Sequence, residues 1–194
     1  MAIFNNFAFH NYQYRMEYIG NRISIKRKEN EVSIVIISLK EKVKNILLTI
    51  YLVVWSLSGI IVFSQLLVIP DRNTKLAIFV WLAFWAYFEF KIFRAYMWRK
   101  FGVEKIKLRN NQFQYKRDRA GKGKVTRFDF DYIKDIRYIE PKENSFFENI
   151  NNSYWVIAGE KLAFDYNGKE IKFGIQLEEK DAQALLKLVK KEIK

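Results

Sequence analysis

NILLTIYLVVWSLSGIIVFSQLLVIP, residues 45–70, contains no Asp, Glu, Lys or Arg. Residues 46–69 reach about 36 Å as a helix at roughly 1.5 Å per residue, and a bilayer's hydrocarbon core is about 30 Å thick. A buried helix of a soluble protein is usually shorter and more clearly striped. Here Thr49, Ser56, Ser58, Ser64 and Gln65 make only a weak polar stripe. The segment begins too far along the chain, and is too long, for a cleaved signal peptide. It reads as a first membrane helix.

The short polar connection 70–75 leads to LAIFVWLAFWAYFEFKIFRAYMW, residues 76–98. Its uninterrupted apolar part ends at Phe88. Glu89, Lys91 and Arg94 follow, and long cations near a helix end can reach the headgroups. Tyr87, Tyr96 and Trp98 suit an interfacial belt. Two apolar helices joined by so short a link predict a membrane hairpin. Lys and Arg set its direction. Residues 26–45 hold six of them, the connection two and residues 91–109 seven. Both termini are therefore expected on the cytoplasmic side.

From Val103 onward the pattern becomes short alternating runs. Seven strands are expected, at 103–109, 112–117, 125–130, 133–140, 154–159, 161–166 and 169–175. On the first, Glu104, Ile106 and Leu108 share one face and Val103, Lys105 and Lys107 the other. Asn110-Asn111 and Asn167-Gly168 read as tight hairpin turns, the second being the stronger signal. DRAGKGK, 118–124, reads as a loop. The chain closes on an amphipathic helix with Ala182, Leu185, Leu186, Val189 and Ile193 on one face.

Seven antiparallel strands before one helix is the order of a pleckstrin-homology (PH) fold. WRKFGVEKIKL, 98–108, runs from the second helix through Phe101-Gly102 and Glu104 into the first strand. LAFDYNGKEIKFGIQLEEKDAQALLKLVKK, 162–191, holds the last hairpin, Phe173-Gly174 and the acidic start of the helix. In these two stretches the chain resembles bacterial PH-like membrane proteins, in which a two-helix hairpin leads straight into a PH-like domain. The resemblance covers about residues 45–194. It implies a membrane α-helical hairpin followed by an α+β, mostly β, PH-like barrel of seven strands and a C-terminal helix. The expected division is 1–45, an N-terminal segment; 46–69 and 76–98, the membrane helices; 70–75, the outer loop; and 99–194, the cytoplasmic domain. Within the first segment, ISIKR (23–27) and EVSIVIIS (31–38) can pair as a hairpin. FNNFAFHNYQYRMEY is aromatic-rich and reads as a strand or an interfacial segment.

The composition excludes several functions. There is no cysteine, hence no thiol nucleophile, disulfide or Cys-based zinc site, and the one histidine, His10, stands alone. AGKGKVT lacks the spacing of a phosphate loop. Asp129, Asp131 and Asp135 have no supporting metal motif. No cofactor and no catalysis are expected.

The net charge of +13 points to an anionic partner. Eleven Lys and Arg lie in residues 99–127, against Glu104 and Asp118, so that stretch carries +9. Arg99, Lys100, Lys105, Lys107, Arg109, Lys116, Arg117, Arg119, Lys122 and Lys124 are the candidate lipid or phosphate contacts, and the anionic leaflet is the expected surface. Simple obedience to the positive-inside rule accounts for the same charges. No RNA-binding signature accompanies Phe113, Tyr115, Phe128 and Phe130, so nucleic acid is not expected.

Eleven aromatics in residues 76–101 are too bulky for close small-residue helix packing. Such bulk suits lipid contact or packing against a larger protein, and Trp81 and Trp85 among them, with Glu89, form a candidate contact with another membrane subunit, in a larger complex or a homo-oligomer. The alternative reading pairs Glu89 with Lys91 or Arg94. The leading expectation is a non-catalytic inner-membrane protein whose PH-like domain is an interaction or scaffold module. The alternative is an anionic-lipid-sensing surface module.

Overall fold

The computed structural model describes residues 15–140 and 159–193. Strands β1 (Arg15–Ile19), β2 (Ile23–Lys28) and β3 (Glu31–Ile37) lead into helix α1 (Lys42–Val68). Helix α2 (Arg72–Phe101) returns directly into β4 (Gly102–Arg109). β5 (Gln112–Arg119), β6 (Val125–Asp129), β7 (Ile133–Tyr138), β8 (Glu160–Tyr166), β9 (Lys169–Ile175) and helix α3 (Glu179–Ile193) complete it. Of the expected strands, 154–159 lies outside the described residues apart from Gly159, as do His10 and most of the aromatic N-terminal segment.

Both α1 and α2 are long and apolar enough to span a membrane, and only 11% and 6% of their apolar stretches are buried within the molecule. Each extends beyond its uncharged part, because Lys, Arg and Asn at the ends are compatible with helix. The connection between them shrinks to three non-helical residues, 69–71. There Asp71 caps α2, accepting from the Thr74 backbone N–H at 2.7 Å and the Thr74 hydroxyl at 2.6 Å.

The three N-terminal strands join the domain rather than standing apart. One antiparallel sheet runs β1-β2-β3-β4-β5-β6, and a second runs β7-β8-β9. β3 pairs with β4 along its length, Ile34 opposite Ile106 and Ile37 opposite Val103. The Ser38 N–H donates to the Gly102 carbonyl at 3.1 Å. The two long helices are thus inserted into the turn of a β-hairpin.

Alternation explains the sheet. Ile23 and Ile25 on β2, Val32, Ile34 and Ile36 on β3, Ile106 and Leu108 on β4, and Phe113 and Tyr115 on β5 all turn inward. Phe113 meets Phe164 and Phe173 of the second sheet at centroid distances of 5.1 and 5.6 Å, and edge contacts of this kind suit aromatic cores. α3 adds Ala182, Leu185 and Val189 to the same core. Arg27 of β2 pairs with Glu192 at 2.5 Å and fixes the far end of α3. No ladder joins the two described sheets into a closed barrel.

The expected turns are present. Asn110-Asn111 and Asn167-Gly168 have positive φ at both positions, as type I′ hairpins require. The expected loop 118–124 is tighter: β5 continues to Arg119, and Ala120-Gly121 turns it back.

Candidate functional site

The ten candidate cations do not form one patch. β4 leaves the end of α2 at Gly102, and Arg119 of β5 lies opposite Gly102. The turn that carries Lys122 and Lys124 therefore sits at the hairpin end of the sheet, with Lys100 of α2. Lys105 and Lys116 face one another further along. Lys107 and Arg109 are five and seven residues past Gly102, about 17 and 23 Å along a strand at 3.3 Å per residue. Charge at a leaflet is screened within about 8 Å at physiological salt, so these two are remote if the strands run away from the bilayer.

Several cations already have acidic partners. Lys105 and Lys116 reach Asp118 at 2.7 and 3.3 Å. Lys107 and Arg109 reach Glu31 at 3.1 and 3.7 Å. The hydrogen bond from Lys105, helped by that from Lys116, holds the Asp118 carboxyl below its usual range. Arg99 is buried, and its carbonyl accepts from the Ser38 hydroxyl at 2.9 Å. Arg119, Lys122 and Lys124 have no acidic partner among the described residues, and Lys122 and Lys124 are exposed.

Arg117 points inward, into a cluster that the linear sequence does not announce. Glu104 is 1% exposed. Its Oε2 accepts the backbone N–H groups of Gly174 and Ile175, each at 2.9 Å. Its Oε1 accepts the Tyr115 hydroxyl, whose oxygen in turn accepts Arg117 Nε at 2.8 Å. Arg117 also reaches Glu160 at 2.7 Å. Gly174 has φ +74, a conformation that L side chains rarely adopt and that glycine accepts readily. Burial pushes the Glu104 carboxyl up, against the donors that favour its charged form. The cluster bolts β4 and β5 of the first sheet to β8 and β9 of the second. A carboxylate on the apolar face of β4 was its one sequence signal.

Arg22 is a second such tie. Its guanidinium donates to the carbonyls of Ile37 at 2.9 Å, Ile175 at 3.1 Å and Gln176. Burial holds its pKa down. Nothing local in the sequence marks it, since its partners are backbone oxygens far along the chain.

Inside the hairpin, Glu89 accepts from the Ser56 hydroxyl at 2.7 Å, rather than from Lys91 or Arg94. Those cations lie over the rings of Tyr87 and Phe90 at 5.3 and 5.7 Å. Trp85 donates to the Trp55 carbonyl at 3.0 Å. A Cβ on Gly59 would sit 2.1 Å from the Trp85 ring, so the two helices approach closely here. Trp81 remains exposed. Asp129, Asp131 and Asp135 bond to Gln112, Asn111 and Arg137 respectively. Among the described residues no group of three His, Cys, Asp or Glu could hold a metal.

Among the described residues no helix or strand covers the outward face of the six-stranded sheet. Met16 and Tyr18 of β1 and Val125 of β6 are exposed there, Tyr18 at 69%. Lys26, Lys105, Lys107, Lys116 and Arg127 share that face by register. Comparison with protein families, characterised proteins and solved structures finds no match to this chain.

Proposed function

We propose that this chain is a non-catalytic protein of the bacterial inner membrane, with both termini cytoplasmic and a PH-like domain that works as an interaction and scaffold module. It serves as an accessory subunit of a larger membrane complex. The observation that carries this reading is the apolar pair Met16 and Tyr18, exposed beside Lys26 on the outward face of the six-stranded sheet at its β1 edge. An apolar patch with a polar surround is the usual form of a protein contact. Two antiparallel sheets and a terminal helix support the PH-like reading. The three strands before the hairpin are this chain's addition to it. Lys and Arg on either side of the hairpin support the topology.

The expected result is a stoichiometric membrane-protein partner when the chain is purified from native membranes in mild detergent. Met16→Asp with Tyr18→Asp should weaken that association at least about tenfold, as for loss of central contacts, without lowering the melting temperature. A chain that purifies alone, or binding unmoved by these changes, sinks the proposal.

Arg119, Lys122 and Lys124 favour a second reading, an anionic-lipid-sensing surface module. They stand at the hairpin end without acidic partners among the described residues. In nanodiscs, the full chain should show slowed amide exchange at 119–124 with anionic lipid but not with zwitterionic lipid. About 0.5 M salt, where the screening length falls to about 4 Å, should abolish the difference. Protection independent of lipid charge rules this reading out.

A further inference from the structure

At the inner end of the hairpin, α1 and α2 part to leave a groove of about 360 Å³ lined by Asn45, Ile46, Thr49, Ile50, Tyr96 and Lys100. We infer that this groove holds an anionic phospholipid from the leaflet on the side of the sheet domain. The inference rests on the hairpin spanning a bilayer, and it is separate from the turn at 119–124.

Depth comes first. Lys100 is 24 residues beyond Leu76, about 36 Å of helix. If the hydrocarbon begins near Leu76, about 30 Å of it is crossed before Lys100 is reached. That leaves the ammonium at headgroup level. Helix side chains lean toward the N-terminus, which on α2 means back toward the bilayer. Lys100 Nζ indeed lies over the Tyr96 ring at 5.6 Å, with its head 3.3 Å from the Tyr96 hydroxyl. It is held at the level where phosphates lie.

The chemistry agrees. Lys100 has N–H groups beyond the one spent on Tyr96, and the Tyr96 hydroxyl, used there as acceptor, retains its own proton to donate. Both can serve one phosphate. Thr49 gives its proton to the Asn45 carbonyl at 2.8 Å, so its oxygen remains an acceptor for a headgroup hydroxyl. Ile46 and Ile50 are exposed on the side leading to the hydrocarbon, and they suit the first acyl carbons. Among the described residues no acidic side chain lines the groove. A zwitterionic choline head would bring a cation toward Lys100, whereas a glycerol head brings none.

The test uses the full chain in phosphatidylcholine bilayers with spin-labelled phosphatidylglycerol or spin-labelled phosphatidylcholine as probe. The motionally restricted fraction should show about fivefold preference for phosphatidylglycerol, the factor one juxtamembrane cation supplies. Lys100→Gln should reduce that preference to about one. Tyr96→Phe should reduce it roughly twofold, the loss of one hydrogen bond at the weak end of the usual net strength. Lys122→Gln with Lys124→Gln should leave it in place. Equal association of the two lipids with the wild-type chain overturns the inference, as does a preference that survives Lys100→Gln or vanishes with the turn variant. Absence of any restricted lipid overturns it together with the membrane-spanning reading; restricted lipid without selectivity overturns the site alone.

Discussion

Replacing residues 39–101 with Asn-Gly is expected to turn this protein into a soluble one with its sheets intact. β3 and β4 are adjacent antiparallel strands, and Ser38 already faces Gly102 across the ladder. Two residues with positive φ can close that hairpin. The buried residues lost with the helices, among them Leu48, Ile92, Ala95 and Trp98, lie outside the main core cluster. The Gly102 N–H, now bonded to the Trp98 carbonyl, becomes free for Ser38. The opposite truncation, to residues 99–194, should fail. It removes Ile23, Ile25, Val32, Ile34 and Ile36, all buried at 7% or less. Burying such a side chain contributes about 1.5–3 kcal/mol. Even reduced for a compact unfolded state, five of them rival the roughly 5–15 kcal/mol that holds a domain together. The truncation also bares β4 as an edge, an invitation to aggregate. Size-exclusion chromatography and denaturant melts distinguish the two chains. A cooperative, monomeric 99–194 fragment, or an excised chain that cannot be kept in solution, contradicts this architecture.

That pairing explains what the sequence could and could not tell. The helices are legible because absence of charge over 45–70 is a local property, and so is alternation in ISIKR or VEKIKLR. Even the pairing of β2 with β3 is local, since Glu29 and Asn30 join them. The pairing of β3 with β4 crosses both long apolar helices, and no neighbouring residue encodes which edge a hairpin will join. For the same reason the +9 of residues 99–127 overstated the basic patch. Glu31, which pairs with Lys107 and Arg109, comes from before the hairpin. Glu160, which pairs with Arg117, comes from the second sheet. Among the described residues, Lys100, Arg119, Lys122, Lys124 and Arg127 keep the freedom from acidic partners that linear counting assigned to all. Phe101-Gly102, Glu104 and Phe173-Gly174 stood out in the sequence as separate stretches. In the fold Glu104 accepts the Gly174 N–H, so two of the three make one contact.

Glu104→Ala should have the largest effect of any single substitution in the sheet domain. It would leave the N–H groups of Gly174 and Ile175, the Tyr115 hydroxyl and one side of Arg117 without their acceptor. Removing one member of a buried charged network typically costs about 3–5 kcal/mol. For a domain of this size that is a fall of roughly 10–20 °C in melting temperature. Glu104→Gln keeps the shape and one acceptor oxygen, and places an NH2 where an acceptor is needed, so its cost should be about 1–3 kcal/mol. Tyr115→Phe should cost about 1–2 kcal/mol, because Glu104 keeps its two backbone donors while Arg117 Nε loses the hydroxyl. The decisive quantity is the coupling between Glu104→Ala and Tyr115→Phe. Residues in one hydrogen-bond network are non-additive by about 0.5–3 kcal/mol. The double variant should be less destabilised than the sum of its parts, since the first substitution already strips the hydroxyl of its acceptor. Melting of the full chain in detergent, followed by intrinsic fluorescence, measures all four variants on one scale. Strict additivity, or a Glu104→Ala loss below about 1 kcal/mol, would mean that the Glu104–Tyr115 network does not hold the two sheets together.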